Sequence, residues 1–299
     1  MADGDPMVLK TIYGTLDESL LNNGTFEKPA QVGYAPTGWT KSGPAPYFRI
    51  ASGTRTGGDG LYYANLTDST GLQLEVNDIF QNVTLNGSDS LDARGHAGMS
   101  FTASTWARAD GSAMEVGLLN VWELNSSGGI VATHSAGLPL SGVWAQSTLT
   151  GTIDHADCVA LRFYIQITNA TAGTVDLKFD DAQLYFPYTF AANPSMPDDQ
   201  DIFDPTEKYT RTTGGSLVMG SGAAGSAKHQ KMLNFGLIGL DQFKALRSLR
   251  LLAKPMRWTP NQPHMPASLD VRMTGFKFGA GRGAFGSNIY RGSMELSEI

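Results

Sequence analysis

Two segments of the 299-residue chain set rings and hydrogen-bonding side chains along one side of an alternating pattern. In the run from Val159 to Ile167, Val159, Leu161, Phe163, Ile165 and Ile167 fall on one face, leaving Arg162, Tyr164 and Gln166 on the other. In the run from Ser100 to Arg108, Phe101, Ala103, Thr105 and Ala107 share one face, and Trp106 and Arg108 project from the opposite one. Period-2 alternation is the signature of a half-buried strand, so the second set in each run points away from a core. A ring beside a guanidinium, a phenol and an amide can pack on the C–H face of a ligand while bonding its polar substituents. Outward Trp and Tyr also serve as subunit contacts, so both uses stay open. Trp39, Trp122 and Trp144 read as core or edge packing.

Catalytic patterns do not emerge. The histidines at 96, 134, 155, 229 and 264 are scattered, with neither His-Glu-x-x-His nor Gly-x-Ser-x-Gly around them. The glycine-rich stretch over 214–227 lacks the Gly-Lys-Ser/Thr that closes a phosphate loop, and Gly279 to Gly286 lies between strands, where a hairpin turn is expected. Glycosidases need only two carboxylates, but the 28 Asp and Glu sit mostly in turns and nothing in the sequence pairs them. A non-enzymatic protein is the expectation.

Composition narrows the class. Only 17% of residues are charged and 35 are glycine, a mix that suits short strands and many turns. Through residue 199 there are nine Lys and Arg against 21 Asp and Glu, a net of −12; beyond it there are 13 against seven, a net of +6. The C-terminal cations are dispersed, without helix-turn-helix or zinc-finger spacing, so no nucleic-acid partner is expected. No apolar run approaches the ~18 residues that span a bilayer, and no secretory leader is read at the N-terminus. The single cysteine, Cys158, excludes an internal disulfide, points to a reducing compartment and is read as inert.

The elements fall into two domains. Residues 1–17 read as an N-terminal arm. Residues 18–190 read as an all-β sandwich, with short alternating segments separated by Gly, Asn, Ser and Asp. The Pro- and Asp-rich run over 191–205 reads as an extended linker, with the boundary near residue 195. Residues 206–299 read as a second β domain with one helix from Asp241 to about Lys254, ended by Pro255, whose apolar face is Phe243, Leu246, Leu249 and Ala253. Met256 to Pro260 reads as an edge strand, followed by two long strands, the last ending at Ile299.

The sandwich half resembles jelly-roll carbohydrate-binding modules. The resemblance rests on the opening Leu20-Leu-Asn-Asn-Gly-Thr-Phe-Glu27, on Pro36-Thr-Gly-Trp39 and on the closing Phe179-Asp-Asp-Ala-Gln-Leu-Tyr185, and it covers residues 18–187. It implies glycan binding by the outward set Trp106, Arg108, Arg162, Tyr164 and Gln166. It also implies a structural calcium held by Gly24, Glu27 and Asp181, with Asp180 disfavoured by strand parity.

The C-terminal half, over residues 203–299, resembles small tail proteins of tailed bacteriophages, including minor and distal tail proteins related to the tail-tube fold. The resemblance rests on element order: strand, helix with Phe and Leu anchors, a Trp258-Thr-Pro260 turn, then two long strands. It implies a tail-tube-like β-sandwich with one helix that assembles as a homo-oligomeric ring, with Phe243, Leu246, Trp258 and Ile299 as contact residues. Neighbouring phage tail proteins and host cell-surface glycans would be the partners and the virion tail the location. The other readings are a carbohydrate-binding module of a polysaccharide-degrading system, and a capsid decoration or neck protein.

Overall fold

The computed structural model describes residues 8–11, 20–22, 25–26, 35–43, 47–53, 61–68, 76–85, 96–110, 115–139, 141–169, 174–190, 202–204, 208–211, 217–220, 228–252, 254–260, 267–282 and 288–298. In chain order the elements begin with β1 (Val8–Thr11), β2 (Thr40–Ser42), β3 (Tyr47–Ser52), β4 (Tyr62–Asp68), β5 (Val76–Thr84), β6 (Ser100–Ala109) and β7 (Glu115–Leu124). They continue with β8 (Ile130–Leu138), β9 (Ala145–Thr152), β10 (Ala160–Asn169), β11 (Val175–Tyr185), β12 (Pro187–Thr189) and β13 (Ile202–Asp204). After β14 (Lys208–Arg211), β15 (Leu217–Gly220) and β16 (Lys228–Gly239) comes the helix α1 (Leu240–Leu252), followed by β17 (Met256–Thr259), β18 (Leu269–Arg282) and β19 (Asn288–Glu298). The molecule is mainly β, as its composition and alternation predict.

Two compact units divide the chain, Lys10–Pro187 and Met1–Leu9 with Tyr188–Ile299. The first is a sandwich of two five-stranded antiparallel sheets, ordered β2-β5-β10-β7-β8 and β3-β4-β11-β6-β9. Consecutive strands repeatedly cross from one sheet to the other, as in a jelly roll. The alternation read from sequence sets its core. Leu161, Phe163, Ile165 and Ile167 of β10 are buried, as are Phe101, Ala103, Thr105 and Ala107 of β6. Trp39 is buried too, with its ring 5.4 Å from Phe26 and edge-on to Phe163 at 5.8 Å.

Polar staples hold the ends of the sandwich. The Leu20 amide donates to the Leu184 carbonyl at 2.6 Å, so the opening segment lies against the last strand. Gln81, buried on β5, accepts from the Asn22 amide at 2.5 Å and donates to the carbonyls of Asn22 and Gly38, each at 3.0 Å. Gly38 has φ +85°, and a Cβ there would come within 3.0 Å of the Gln81 amide nitrogen, so glycine is what the turn permits. Gln81→Leu should lower stability by about 0.5–1.5 kcal/mol, because it removes three part-buried hydrogen bonds to the Asn22 amide and to the Asn22 and Gly38 carbonyls. Urea denaturation of the full chain measures this, and a shift below a few tenths of a kcal/mol would assign these bonds no role in stability.

The second unit is built on a seven-stranded sheet ordered β12-β1-β17-β18-β19-β16-β13, with the two-stranded β14-β15 ladder and α1. Asp241 lies in the first turn of α1 and Arg250 in the last, each matching the sign of the nearer helix pole. Leu246, Leu249 and Leu252 are the buried leucines of the helix, which packs on β16, β18 and β19. Phe243 is half-buried and stacks on Tyr290 at 3.9 Å with an interplanar angle of 2°. Ala253 lies outside the described residues.

The domain limits differ from those read in the sequence. The expected arm at 1–17 contributes β1, which lies between β12 and β17, and Leu9 has no exposed surface. The run Met256 to Pro260 is therefore not an edge strand. Buried Met256 and Trp258 would leave a row of bare backbone groups beside a core, and β1 supplies the partner. The linker expected over 191–205 is shortened at its C-terminal end, because Ile202–Asp204 pairs antiparallel with β16. The unit boundary falls at Pro187/Tyr188, since Tyr188 and Phe190 belong to the second core, with Phe190 stacked 5.9 Å from Phe235.

Leu246 and Trp258, expected at a subunit contact, are 0% and 1% exposed within the chain itself. Their apolar surface is already satisfied by their own domain, so neither is free to meet a second copy. Ile299 lies outside the described residues. Cys158 is buried in the turn before β10, and burial pushes its thiol up to about 12, which fits the inert reading.

Candidate functional site

The five outward residues expected to act together stand on two different sheets. Arg162, Tyr164 and Gln166 lie on β10, the centre of one sheet; Trp106 and Arg108 lie on β6, in the other. Each set faces away from the shared core, so the sandwich separates them by its full thickness. They cannot form one site.

Around β10 the pairing assembles neighbours from distant parts of the chain. Tyr164 stands opposite Phe80 of β5 and Asn120 of β7; Arg162 stands opposite Asn82 and Trp122; Gln166 stands opposite Asp78 and Leu118. Further out, Thr40 and Ser42 of β2 pair with Phe80 and Asp78, while Thr133 and Ser135 of β8 pair with Trp122 and Asn120. Every one of these positions has the outward parity of its strand.

The side chains interlock into one aromatic surface with polar margins. The Trp122 and Tyr164 rings stack at 4.0 Å and 27°, and Phe80 lies 6.3 Å from Tyr164 on the other side. Tyr164 is 4% exposed and so forms the floor, whereas Trp122 and Phe80 keep part of their surface open. The Arg162 guanidinium carbon lies 4.5 Å above the Phe80 ring and 5.7 Å from that of Trp122, and its Nε donates to Asn82 Oδ1 at 2.8 Å. Stacking on two rings plus one hydrogen bond orients a side chain that would otherwise be floppy. Ser135 Oγ donates to Asn120 Oδ1 at 2.5 Å, and Gln166 Nε2 donates to the Tyr164 hydroxyl at 3.4 Å. Burial, reinforced by a hydrogen bond to the Asp78 carboxylate, raises the Tyr164 phenol above its ordinary pKa, so it stays a neutral donor at any physiological pH.

The surface bearing Trp106 and Arg108 has another character. Arg108 Nε donates to Asp110 Oδ1 at 2.7 Å, and Lys178 Nζ bonds the other Asp110 oxygen and lies 3.7 Å from Asp176. Burial alone would raise the Asp110 pKa, but hydrogen bonds from Lys178 and Arg108 outweigh it and hold the carboxyl below its usual range. Asn65 Nδ2 completes the network on Asp176 at 2.8 Å, and Tyr63 meets Trp144 edge-on at 6.0 Å. Trp106 is half-buried between Asp180 and Gln146. Arg108 is thus committed to an ion pair with Asp110, while Arg162 is held by rings.

Sequence reasoning missed Phe80, Asn82, Asn120 and Ser135, and assigned Trp122 to packing. The parity signal was present: Asp78, Phe80 and Asn82 alternate with Ile79 and Val83, and Asn120 and Trp122 alternate with Leu119 and Val121. Of the expected calcium ligands, Gly24 and Glu27 lie outside the described residues. Asp181 is half-buried at the bulge of β11 with φ +46°, and its amide donates to Asp180 Oδ1 at 2.9 Å. A pocket lined by Leu249, Arg250, Lys254, Met256, Arg272 and Met273 occupies the second unit.

No protein-family model and no curated protein matches the sequence. Among solved structures, the enzymatically active domain of tailspike protein 4 from bacteriophage CBA120 is similar at 13% identity with a TM-score of 0.42, over 56% of this chain and 21% of that one. This chain therefore spans about a fifth of that protein's length. TmCBM61, solved in complex with β-1,4-galactotriose, is similar at 14% identity with a TM-score of 0.38, over 57% of this chain and 99% of that one. A cyclase from Fischerella sp. TAU is similar at 12% identity with a TM-score of 0.40, over 60% and 98% of the two chains.

Proposed function

We propose that this chain is a non-enzymatic glycan-binding structural protein, its sandwich domain touching sugar through the outward face of the β2-β5-β10-β7-β8 sheet. The observation that carries the reading is the open edge of the Trp122, Tyr164 and Phe80 cluster flanked by Arg162, Asn82, Asn120 and Ser135. Sugar rings present flat C–H faces and a rim of hydroxyls. A rigid aromatic shelf recognises the first, and the exposed Asn82 amide, the Ser135 hydroxyl that buried Asn120 orients, and the Arg162 guanidinium recognise the second. Because the shelf is preassembled by stacking, little side-chain ordering is left to oppose binding.

In this reading the C-terminal domain carries the sandwich on a bacteriophage virion, as a tail or tail-tip component repeated in a ring. Two features support it: the element order of residues 203–299, and the contrast between a −12 N-terminal portion and a +6 C-terminal one, which favours like-with-unlike contacts between neighbouring copies. Repetition would convert a weak single-site sugar contact into tight adhesion to a host surface.

The full chain should be retained on an immobilised glycan panel, and Arg162→Ala should reduce that retention several-fold with unchanged melting. No retained glycan would overturn the binding function. Size determination at micromolar concentration tests the assembly: oligomers are expected, and a 32.0 kDa monomer that still binds glycan would replace the ring with a module of a polysaccharide-degrading system.

A further inference from the structure

We propose that Glu123, His134 and Asp154 form a divalent-cation site, separate from the aromatic face, that clips the turn between β9 and β10 to the β7-β8 hairpin. The three residues come from β7, β8 and the turn after β9, and their donor atoms all lie within 4.8 Å of one another. His134 Nε2 is 2.9 Å from Glu123 Oε1 and 3.8 Å from Asp154 Oδ2. A tetrahedral ion with bonds of about 2.0–2.2 Å needs its donors about 3.4 Å apart, and these two separations bracket that value.

The donors are held before any ion arrives. Glu123 is fully buried, with Oε1 accepting from the Asp154 amide at 2.7 Å and Oε2 from the His155 amide at 2.9 Å. Those two bonds fix the carboxylate and bring the Asp154 side chain to the site's mouth, as outer-shell partners orient metal ligands. The His134 ring is set by an edge contact with Phe101 at 5.0 Å. Gly151 makes room for both rings: a Cβ there would lie 2.5 Å from the Phe101 ring and 3.2 Å from His134 Nδ1.

The donor set selects the cation. An imidazole with two carboxylates suits zinc and its transition-metal neighbours, whereas calcium prefers an all-oxygen shell of six to eight ligands. Asp154 is 67% exposed, so the ion would enter from that side and keep a position open to water. The role is structural: a buried carboxylate and an exposed one, brought together with an imidazole, are neutralised and joined by one ion.

Calorimetric titration of Zn2+ into chelator-treated full-length protein tests this, with thermal melting in parallel. One ion per chain is expected, with a raised melting temperature. Asp154→Asn, exposed and so compatible with folding, should weaken binding at least 10-fold, and His134→Gln should do the same. Absence of binding to the wild type overturns the site, as does binding that stays within twofold in Asp154→Asn, since the ion would then sit on other residues.

Discussion

Trp258→Ala should destabilise the C-terminal domain by about 3–5 kcal/mol, enough to unfold a domain of ordinary stability at moderate temperature. The indole is 1% exposed on β17, paired in register with Leu269 of β18. Its removal leaves a cavity that a sheet pinned between β1 and β18 has little freedom to close. Trp258→Phe should cost much less: it keeps most of the ring and deletes an indole Nε1 that is buried with no acceptor among the described residues. Denaturation of the full chain, with hydrogen exchange of β17 and β18 amides, measures both variants. A Trp258→Ala protein that unfolds like the wild type but loses self-association would return this residue to a subunit contact.

The second large effect concerns binding. Trp122→Ala should weaken glycan retention about 30-fold, equivalent to ~2 kcal/mol, the loss typical of a dominant aromatic anchor. The truncation removes the stacking partner of Tyr164 at 4.0 Å and one of the two rings that hold Arg162. It therefore opens the floor and loosens the cation in one step, leaving Arg162 held by Phe80 and Asn82. Stability should change little, because Trp122 points out of the sandwich while Leu119 and Val121 fill the core on the same strand. Trp106→Ala is the matched control on the opposite sheet and should bind as the wild type does. Affinity electrophoresis of the two variants beside the wild type decides between the faces, and the reverse result would move the site to the surface around Trp106.

The sandwich and the site were legible in the sequence to different depths. Alternation in Ser100 to Arg108 and in Val159 to Ile167 is a local property, enforced by a backbone whose successive side chains point to opposite sides, so the inward and outward sets could be read residue by residue. The helix was readable for a similar reason: Asp241, Arg250 and Pro255 mark its ends chemically, and its leucines recur at helical spacing. Phe243 was assigned to the buried face but is half-buried, its ring stacked on Tyr290 of β19 and 6.0 Å from Phe276 of β18, partners from distant strands that no local pattern marks.

Strand pairing carries no such local mark. Arg162 bonds Asn82 across 80 residues, and Tyr164 meets Trp122 through a ladder that neither segment announces. Trp106 and Tyr164 look alike in parity and composition, yet lie on separate sheets, because a jelly roll sends consecutive strands to opposite layers. The placement of β1 beside β17 is the same kind of fact at longer range: only the folded sheet reveals that β17 would have a bare edge beside buried Trp258 without it. The amino-acid order by itself determined which side chains face inward along the runs from Ser100 and from Val159, where the helix starts and stops, and that two β-rich units exist, since these follow from backbone geometry within a few residues. Which outward faces become neighbours was decided by tertiary structure alone, since hydrogen bonding between strands is set by the closing of long loops and the burial of shared apolar surface.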